Sequence, residues 1–316
     1  MLAPLLLLVL GLALLVAGGE WIVRGAVALA DRLGVPPLVI GLTVVAFGTS
    51  APELVVNLIA AASDATSVGF GNVIGSNIAN VALLLGAISL YKPQSVSRSV
   101  VVREIPMMTL IAIAALVLAA DQWFGAAGPD QWGPADGVVL LLFFSVFLFY
   151  LISESIAAGN QSTDEITPLG WGWTLAYLIG GLAALIGGGQ ATVSGAVDLA
   201  GQLGVPEVIV SLTLVAVGTS LPELAASLAA ARRNQSDLAI GNIVGSNIFN
   251  TGFILGISAL AKPMDIPAYG LGDLLVTVAL SAALLPLAAT GRQIARWEGA
   301  LLLAGYGGYV AWLVVR

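Results

Sequence analysis

The chain has 316 residues, of which 59% are hydrophobic and 9% charged, far below the roughly 25% charged residues with which a soluble domain coats itself. Eleven Lys and Arg against 18 Asp and Glu leave a net charge of -7, with no basic face on which a nucleic acid could lie. The absence of cysteine and histidine excludes disulfides, thiolate and imidazole metal sites and histidine-based nucleophilic triads, so any bound metal is a hard ion held by oxygen.

A bilayer core takes about 20 apolar residues per helix, and windows of that kind follow one another along the chain. The first, 3–30, begins with the apolar run Leu5 to Val16, which lacks the basic residues that open a signal peptide. The GGEW after it has a counterpart in GGGQ at Gly187 to Gln190, so this run is read as the first span. The second window, 38–62, holds GLTVVAFGTSAPELVVNLIAA (Gly41 to Ala61), and the third, 70–90, holds GNVIGSNIANVALLLG (Gly71 to Gly86). Windows at 102–120 and 136–154 follow, separated by a loop with Asp121, Asp130 and Asp136. After a short polar link the pattern starts again at 171–199. The window 207–230 carries SLTLVAVGTSLPELAASLAAA (Ser211 to Ala231) and 238–260 carries GNIVGSNIFNTGFILG (Gly241 to Gly256), before windows at 269–289 and 297–315. Both motifs return at one offset of 170 positions, from 41 to 211 and from 71 to 241.

The expected fold is therefore an all-α integral membrane protein of ten transmembrane helices in two five-helix repeats, residues 1–157 and 171–316, joined by a cytoplasmic linker at 158–170. An odd number of spans per repeat inverts the second repeat, the plan in which transporters place a binding site near the midplane on broken helices. Arg32, Lys92, Arg98, Arg103, Arg232, Arg233, Arg292 and Arg296 fall on one side of this arrangement, with Lys262 and Arg316 on the other. The positive-inside bias places both termini outside a plasma (inner) membrane.

Two carboxylates remain inside the expected hydrocarbon region, Glu53 and Glu223, at the same place in each repeat. A charge there costs about 2.5–3.5 kcal/mol or more and calls for a cation or a proton. Pro52 and Pro222 precede them and have no N–H for the carbonyls of Gly48 and Gly218, so the helix should kink. Freed carbonyls and the hydroxyls of Thr49, Ser50, Thr219 and Ser220 are donors suited to Na+ or Ca2+. Asn72, Ser76 and Asn80, and Asn242, Ser246 and Asn250, are spaced by four and share a helical face; simple packing explains Asn72, Asn77, Asn242 and Asn247 equally well.

At these residues the chain resembles the Na+/Ca2+ exchanger family of the cation/Ca2+ antiporter superfamily, prokaryotic type, whose repeats carry G-T-S-x-P-E and G-S-N-I-x-[ND]. The resemblance covers essentially the whole chain. It implies ion contacts from Thr49, Ser50, Glu53, Ser76 and Asn80, from Thr219, Ser220, Glu223, Ser246 and Asn250, and from the backbone carbonyls of Ala46 and Ala216. Two departures stand out: Asn250 occupies a position where well-studied exchangers of this family have an aspartate, and the short link has no room for the cytoplasmic Ca2+-sensing domains of the animal exchangers. The function implied is Na+/Ca2+ antiport by alternating access, with a shared midplane cation site on the two glutamates and the first and sixth segments as the moving gate. No cofactor beyond the transported ions and no obligate protein partner is expected, only Na+, Ca2+ and lipid. A proton-coupled cation antiporter on the same scaffold is the alternative, and an intramembrane hydrolase using two acids is a remote one.

Overall fold

The computed structural model describes residues 2–63, 65–125, 128–157, 169–203 and 218–315; side chains 154–157 are outside this description. The helices are α1 (Leu2–Leu33), α2 (Pro37–Thr49), α3 (Ala51–Ala62), α4 (Thr66–Tyr91), α5 (Val100–Ala119), α6 (Pro134–Ala157), α7 (Trp171–Gln202), α8 (Leu221–Arg232), α9 (Ser236–Ala261), α10 (Gly270–Ala289) and α11 (Arg296–Val315). Among the described residues eight helices are long and apolar enough to span a bilayer, and the bent pair α2–α3 makes a ninth. These nine fall on nine of the ten expected windows. The remaining window, 207–230, runs through residues 204–217, outside the description, and its described part is α8. The linker at 158–168 also lies outside the described residues.

The chain divides into two compact units that cut across the repeats, 1–52 with 155–242 and 53–154 with 243–316. In the first unit, α1 and α7 pack along their length through glycines seven residues apart. A Cβ on Gly18 would lie 2.8 Å from the Leu185 nitrogen and 2.9 Å from the Gly181 carbonyl oxygen; one on Gly25 would lie 2.9 Å from the Leu178 nitrogen; Gly11 meets Gly188 and Thr192. Partner numbers fall as the α1 numbers rise, so the two helices are antiparallel. Gly181, Gly188 and Gly195 of α7 are the repeat mates of Gly11, Gly18 and Gly25, and meet Ile22, Leu15 and Leu8 in turn. Helices that are equivalent by repeat thus run in opposite directions, which is the inversion expected from an odd number of spans. Lipid offers no hydrophobic drive to join helices, so close backbone approach at small residues supplies the dispersion contact that does.

The second unit repeats this symmetry. Gly86 of α4 packs on Gly299 and Leu303 of α11, and its mate Gly256 of α9 packs on Gly137 and Leu141 of α6. Two short antiparallel ladders follow the same relation: β1 (Gln94–Ser95) pairs with β4 (Gln293–Ile294), and β2 (Gln131–Trp132) with β3 (Met264–Asp265). The loop acids act as backbone acceptors. Asp136 takes the Gly133 N–H at 2.8 Å and Glu298 the Ala295 N–H at 2.7 Å, satisfying donors at the starts of α6 and α11. Trp132 is fully buried, stacked on Phe70 with its indole N–H on the Ala115 carbonyl at 2.9 Å.

The motif-bearing helices α4 and α9 are the most buried spans, at 78% and 83%, whereas α1, α6, α10 and α11 are only 17–28% buried. Their outward side chains are apolar, for example Leu6, Val9, Phe149 and Leu301, as a lipid-facing surface requires. Both α4 and α9 contain a π-helical stretch, Ala79–Leu85 and Phe249–Ile254, and such insertions concentrate at functional positions.

Gly18→Val should drive α1 and α7 apart, because the new atoms meet backbone that cannot rotate away. A loss of about 1–3 kcal/mol is expected, seen as a lower melting temperature in detergent than for a lipid-facing change such as Val9→Leu.

Candidate cation-binding site

The two GTS-x-PE segments place their residues as the missing proline N–H requires. α2 ends at Thr49 and the chain turns by 46° into α3. Pro52 cannot satisfy the Gly48 carbonyl, and Ser50 sits at the break with φ -84° and ψ 6°. Ser220, before Pro222, has nearly the same backbone, φ -87° and ψ 4°. Both lie in the sparsely used bridge region where active-site residues recur.

In the first unit these breaks gather hydroxyls around a carboxylate. Ser50 Oγ donates to Glu223 Oε1 at 3.0 Å, and Thr49 Oγ1 lies 3.2 Å from Asn242 Oδ1 and 3.4 Å from the Ala46 carbonyl oxygen. That carbonyl also accepts the Ser50 N–H at 3.0 Å. Asn242 donates Nδ2 to the Glu223 carbonyl at 3.4 Å and to Ser227 Oγ at 3.0 Å. Glu223, Thr49 and Ser50 are fully buried. Glu223 Oε2 and Ser220 Oγ are buried without a hydrogen-bond partner among the described residues. Thr219 is half-buried beside them in the chain, and Ala216 lies outside the description.

In the second unit Glu53 is equally buried. Its Oε1 accepts the Ser76 hydroxyl at 3.4 Å, and its carbonyl accepts Nδ2 of Asn57 at 2.9 Å and of Asn72 at 3.2 Å. Between α4 and α9 four asparagines interlock. Asn80 Nδ2 donates to Asn247 Oδ1 at 3.0 Å, Asn247 Nδ2 to the Asn77 carbonyl at 3.2 Å, Asn250 Nδ2 to Asn77 Oδ1 at 3.2 Å, and Asn77 Nδ2 to Thr251 Oγ1 at 2.7 Å. Asn80 Oδ1, Asn250 Oδ1 and Ser246 Oγ are left buried without a hydrogen-bond partner among the described residues.

Each unit therefore holds one of the expected carboxylates with an expected hydroxyl on it: Ser50 on Glu223 in one and Ser76 on Glu53 in the other. Neither Asn72 nor Asn242 turns its NH2 into a cation site; both fix the backbone of a glutamate. Asn57, Ser227 and Thr251 were not expected. The first two are repeat mates four residues beyond each glutamate, a signal carried by the 170-residue offset. The unpartnered atoms are oxygens with acceptor capacity, the chemistry a hard cation needs. No group of three or more His, Cys, Asp or Glu that could hold a metal ion is found among the described residues.

A family profile described as "Sodium/calcium exchanger protein" matches residues 3–153 and 173–315. The chain belongs to the sodium/calcium exchanger family. As a member of it the exchanger is a cation/Ca2+ antiporter and an integral membrane protein, not an enzyme. It is 34% identical to the sodium/calcium exchanger MaX1 of Methanosarcina acetivorans over 98% of this chain and 97% of that one. It is also 34% identical to the inner membrane protein YrbG of Escherichia coli, over 100% and 97% of the two chains. A solved structure of the sodium-calcium exchanger NCX_Mj, soaked with zero Na+ and Ca2+, superposes with a TM-score of 0.86 at 34% identity, covering 98% of this chain and 99% of that one.

Restoring the missing N–H tests whether the bend is needed. Pro52→Ala should let residue 52 bond the Gly48 carbonyl and straighten the α2–α3 junction. The expected outcome is a melting temperature equal to or above the parent's together with at least about tenfold slower Ca2+ flux in liposomes, the scale on which misplaced ligands cost rate.

Proposed function

We propose that this exchanger couples Na+ movement to Ca2+ movement by alternating access, with Glu53 and Glu223 as the charged ligands that both ions use in turn. The observation that carries the reading is the set of buried oxygens, Glu223 Oε2, Ser220 Oγ, Asn80 Oδ1, Asn250 Oδ1 and Ser246 Oγ, that have no hydrogen-bond partner among the described residues. Each such atom would cost roughly 1–3 kcal/mol if left unmatched, and a cation is the species that matches oxygens of this kind in either unit. Glu53 lies on the bent α2–α3 span and Glu223 in the matching apolar window of the second repeat, where an uncompensated carboxylate is costlier still. A state with ions bound can cross readily and a state without them cannot, which turns competition for shared ligands into exchange.

Thr49, Ser50, Thr219 and Ser220, with the carbonyls of Ala46 and Ala216, complete the donor set in this reading, and Ser76 and Ser246 support it from α4 and α9. Na+ as the coupled ion is favoured by this donor set: hydroxyl and carbonyl oxygens dehydrate Na+ and Ca2+ alike, whereas proton coupling would need only the acids. MaX1 and NCX_Mj, both named sodium/calcium exchangers, support the same choice. The bias of basic residues supports termini on the external side of an inner membrane, and YrbG, an inner membrane protein by name, supports that membrane. Na+, Ca2+ and lipid are the partners this mechanism requires.

The test is ⁴⁵Ca²⁺ uptake by purified protein in liposomes under an outward Na+ gradient, with choline and an imposed pH gradient as comparisons. Uptake that needs internal Na+ is expected. Uptake driven by the pH gradient and indifferent to Na+ would overturn the reading in favour of proton coupling. Glu53→Gln and Glu223→Gln keep shape and remove one charge each; either should lower Na+-driven uptake at least tenfold, about 1.4 kcal/mol, and undiminished flux in both would remove the glutamates from the mechanism.

A further inference from the structure

The amides between α4 and α9 form a chain of hydrogen bonds whose polarity can be read from one fixed end. Asn247 Nδ2 donates to the backbone carbonyl of Asn77, and a carbonyl can only accept. Asn247 must therefore keep its NH2 on that side and turn Oδ1 to Asn80, which answers with Nδ2. Asn80 is left showing Oδ1, the atom without a hydrogen-bond partner among the described residues. Every step of this arm is forced.

The repeat-related arm has the same residues and a different end. Asn250 Nδ2 donates to Asn77 Oδ1, and Asn77 Nδ2 goes on to Thr251 Oγ1. A hydroxyl donates as well as it accepts. If the Asn77 amide turns over, its NH2 faces residue 250, and its Oδ1 takes the Thr251 hydroxyl proton. No bond is lost in the exchange. Asn77, Asn80, Asn247, Asn250 and Thr251 are all 3% exposed or less, so solvent cannot repair a mismatched pair in either arm.

We propose that this asymmetry sets where the cation site can carry charge: position 80 is locked to an amide, whereas position 250 accepts an amide or a carboxylate because Asn77 reverses to match it. Asn77 and Asn247 are thus positioning residues that decide which atom of residues 250 and 80 is presented. The link to ion selection rests on the reading of Asn80 and Asn250 as cation ligands; the lock itself rests on hydrogen-bond polarity alone. An aspartate at 80 would confront Asn247 Oδ1, which cannot turn away without setting an oxygen against the Asn77 carbonyl. An aspartate at 247 would confront that carbonyl directly. One at 250 or at 77 finds a donor, from the reversed Asn77 amide in the first case and from Asn250 Nδ2 and the Thr251 hydroxyl in the second.

Four single substitutions test this, each adding one carboxylate to the same cluster so that the general cost of a buried charge is common to all. N250D and N77D should keep folded yield within about threefold of one another and similar melting temperatures, while N80D and N247D should fall at least about tenfold below them in folded yield and melt at lower temperature, the lower end of the cost of an unmatched buried charged group. The double variant N250D/T251V removes the reversible end and should lose what N250D keeps. Equal loss across all four, better performance of N80D or N247D, or indifference of N250D to T251V overturns the proposal. Folded yield and melting temperature decide these outcomes even for variants that do not transport. Failure of the glutamate reading would show separately, as normal flux in Glu53→Gln and Glu223→Gln with the order of the four aspartate variants unchanged.

Discussion

A carboxylate surrounded by hydrocarbon has to be compensated, and the demands of Glu53 and Glu223 organise the structure around them. Burial strips both side chains of hydration, so compensation comes from dipoles fixed by the fold or from a bound cation. The fixed part is visible: Ser50 on Glu223, Ser76 on Glu53, and paired asparagines on each glutamate's own carbonyl. These groups stabilise a charged side chain only while they are held in place, and holding them requires helices that pack closely without large side chains. The glycines of α1, α4, α7 and α9 serve that requirement, since their backbones approach to distances at which a methyl group would collide.

Breaking the helices makes the compensation transferable. An intact α-helix uses all its carbonyls internally and has none to offer an ion. Pro52 and Pro222 interrupt that accounting next to the glutamates, and the π-helical stretches in α4 and α9 do so near Asn80 and Asn250, giving each motif an irregular backbone where its polar residues sit. The antiparallel contact of α1 with α7, and the matched contacts of α4 with α11 and α9 with α6, show that the duplication is expressed in packing and not only in motif.

Much of this was legible in the chain because it depends on residue types with narrow physical meaning. A glutamate after proline in an apolar window, present twice at one offset, admits few structures, and the spans fell within a few residues of windows drawn from apolar length alone. Side-chain direction was not legible. Asn72 and Asn242 share a face with Ser76 and Ser246, yet they bond backbone carbonyls, because a face four residues wide does not say which end of an amide points where. The π-helical stretches were equally hidden: one extra residue in a turn leaves no mark in an apolar run, although it re-aims every side chain beyond it. The division into units across the repeats also follows from contacts that no local pattern encodes.

Neutral amides carry a role here that a third carboxylate would perform differently. With Asn80 and Asn250 both uncharged, each unit offers the proposed cation one carboxylate, and the rest of the compensation falls to dipoles. An ion–dipole contact falls off faster with distance than a contact with a carboxylate and depends on the direction of the C=O bond. Affinity in such a site is therefore sensitive to how well each amide is aimed, and less to net charge. Asn77 and Asn247 do the aiming, and both are fixed by partners that belong to the helix pair itself. The motif G-S-N-I-x-[ND] admits aspartate where Asn250 stands, and the reversible Asn77–Thr251 end is the part of the cluster able to receive one. The two repeats have thus kept one geometry while differing in a single hydrogen-bond terminus, and that terminus, not the motif letters, separates a position that must stay neutral from one that is free to carry charge.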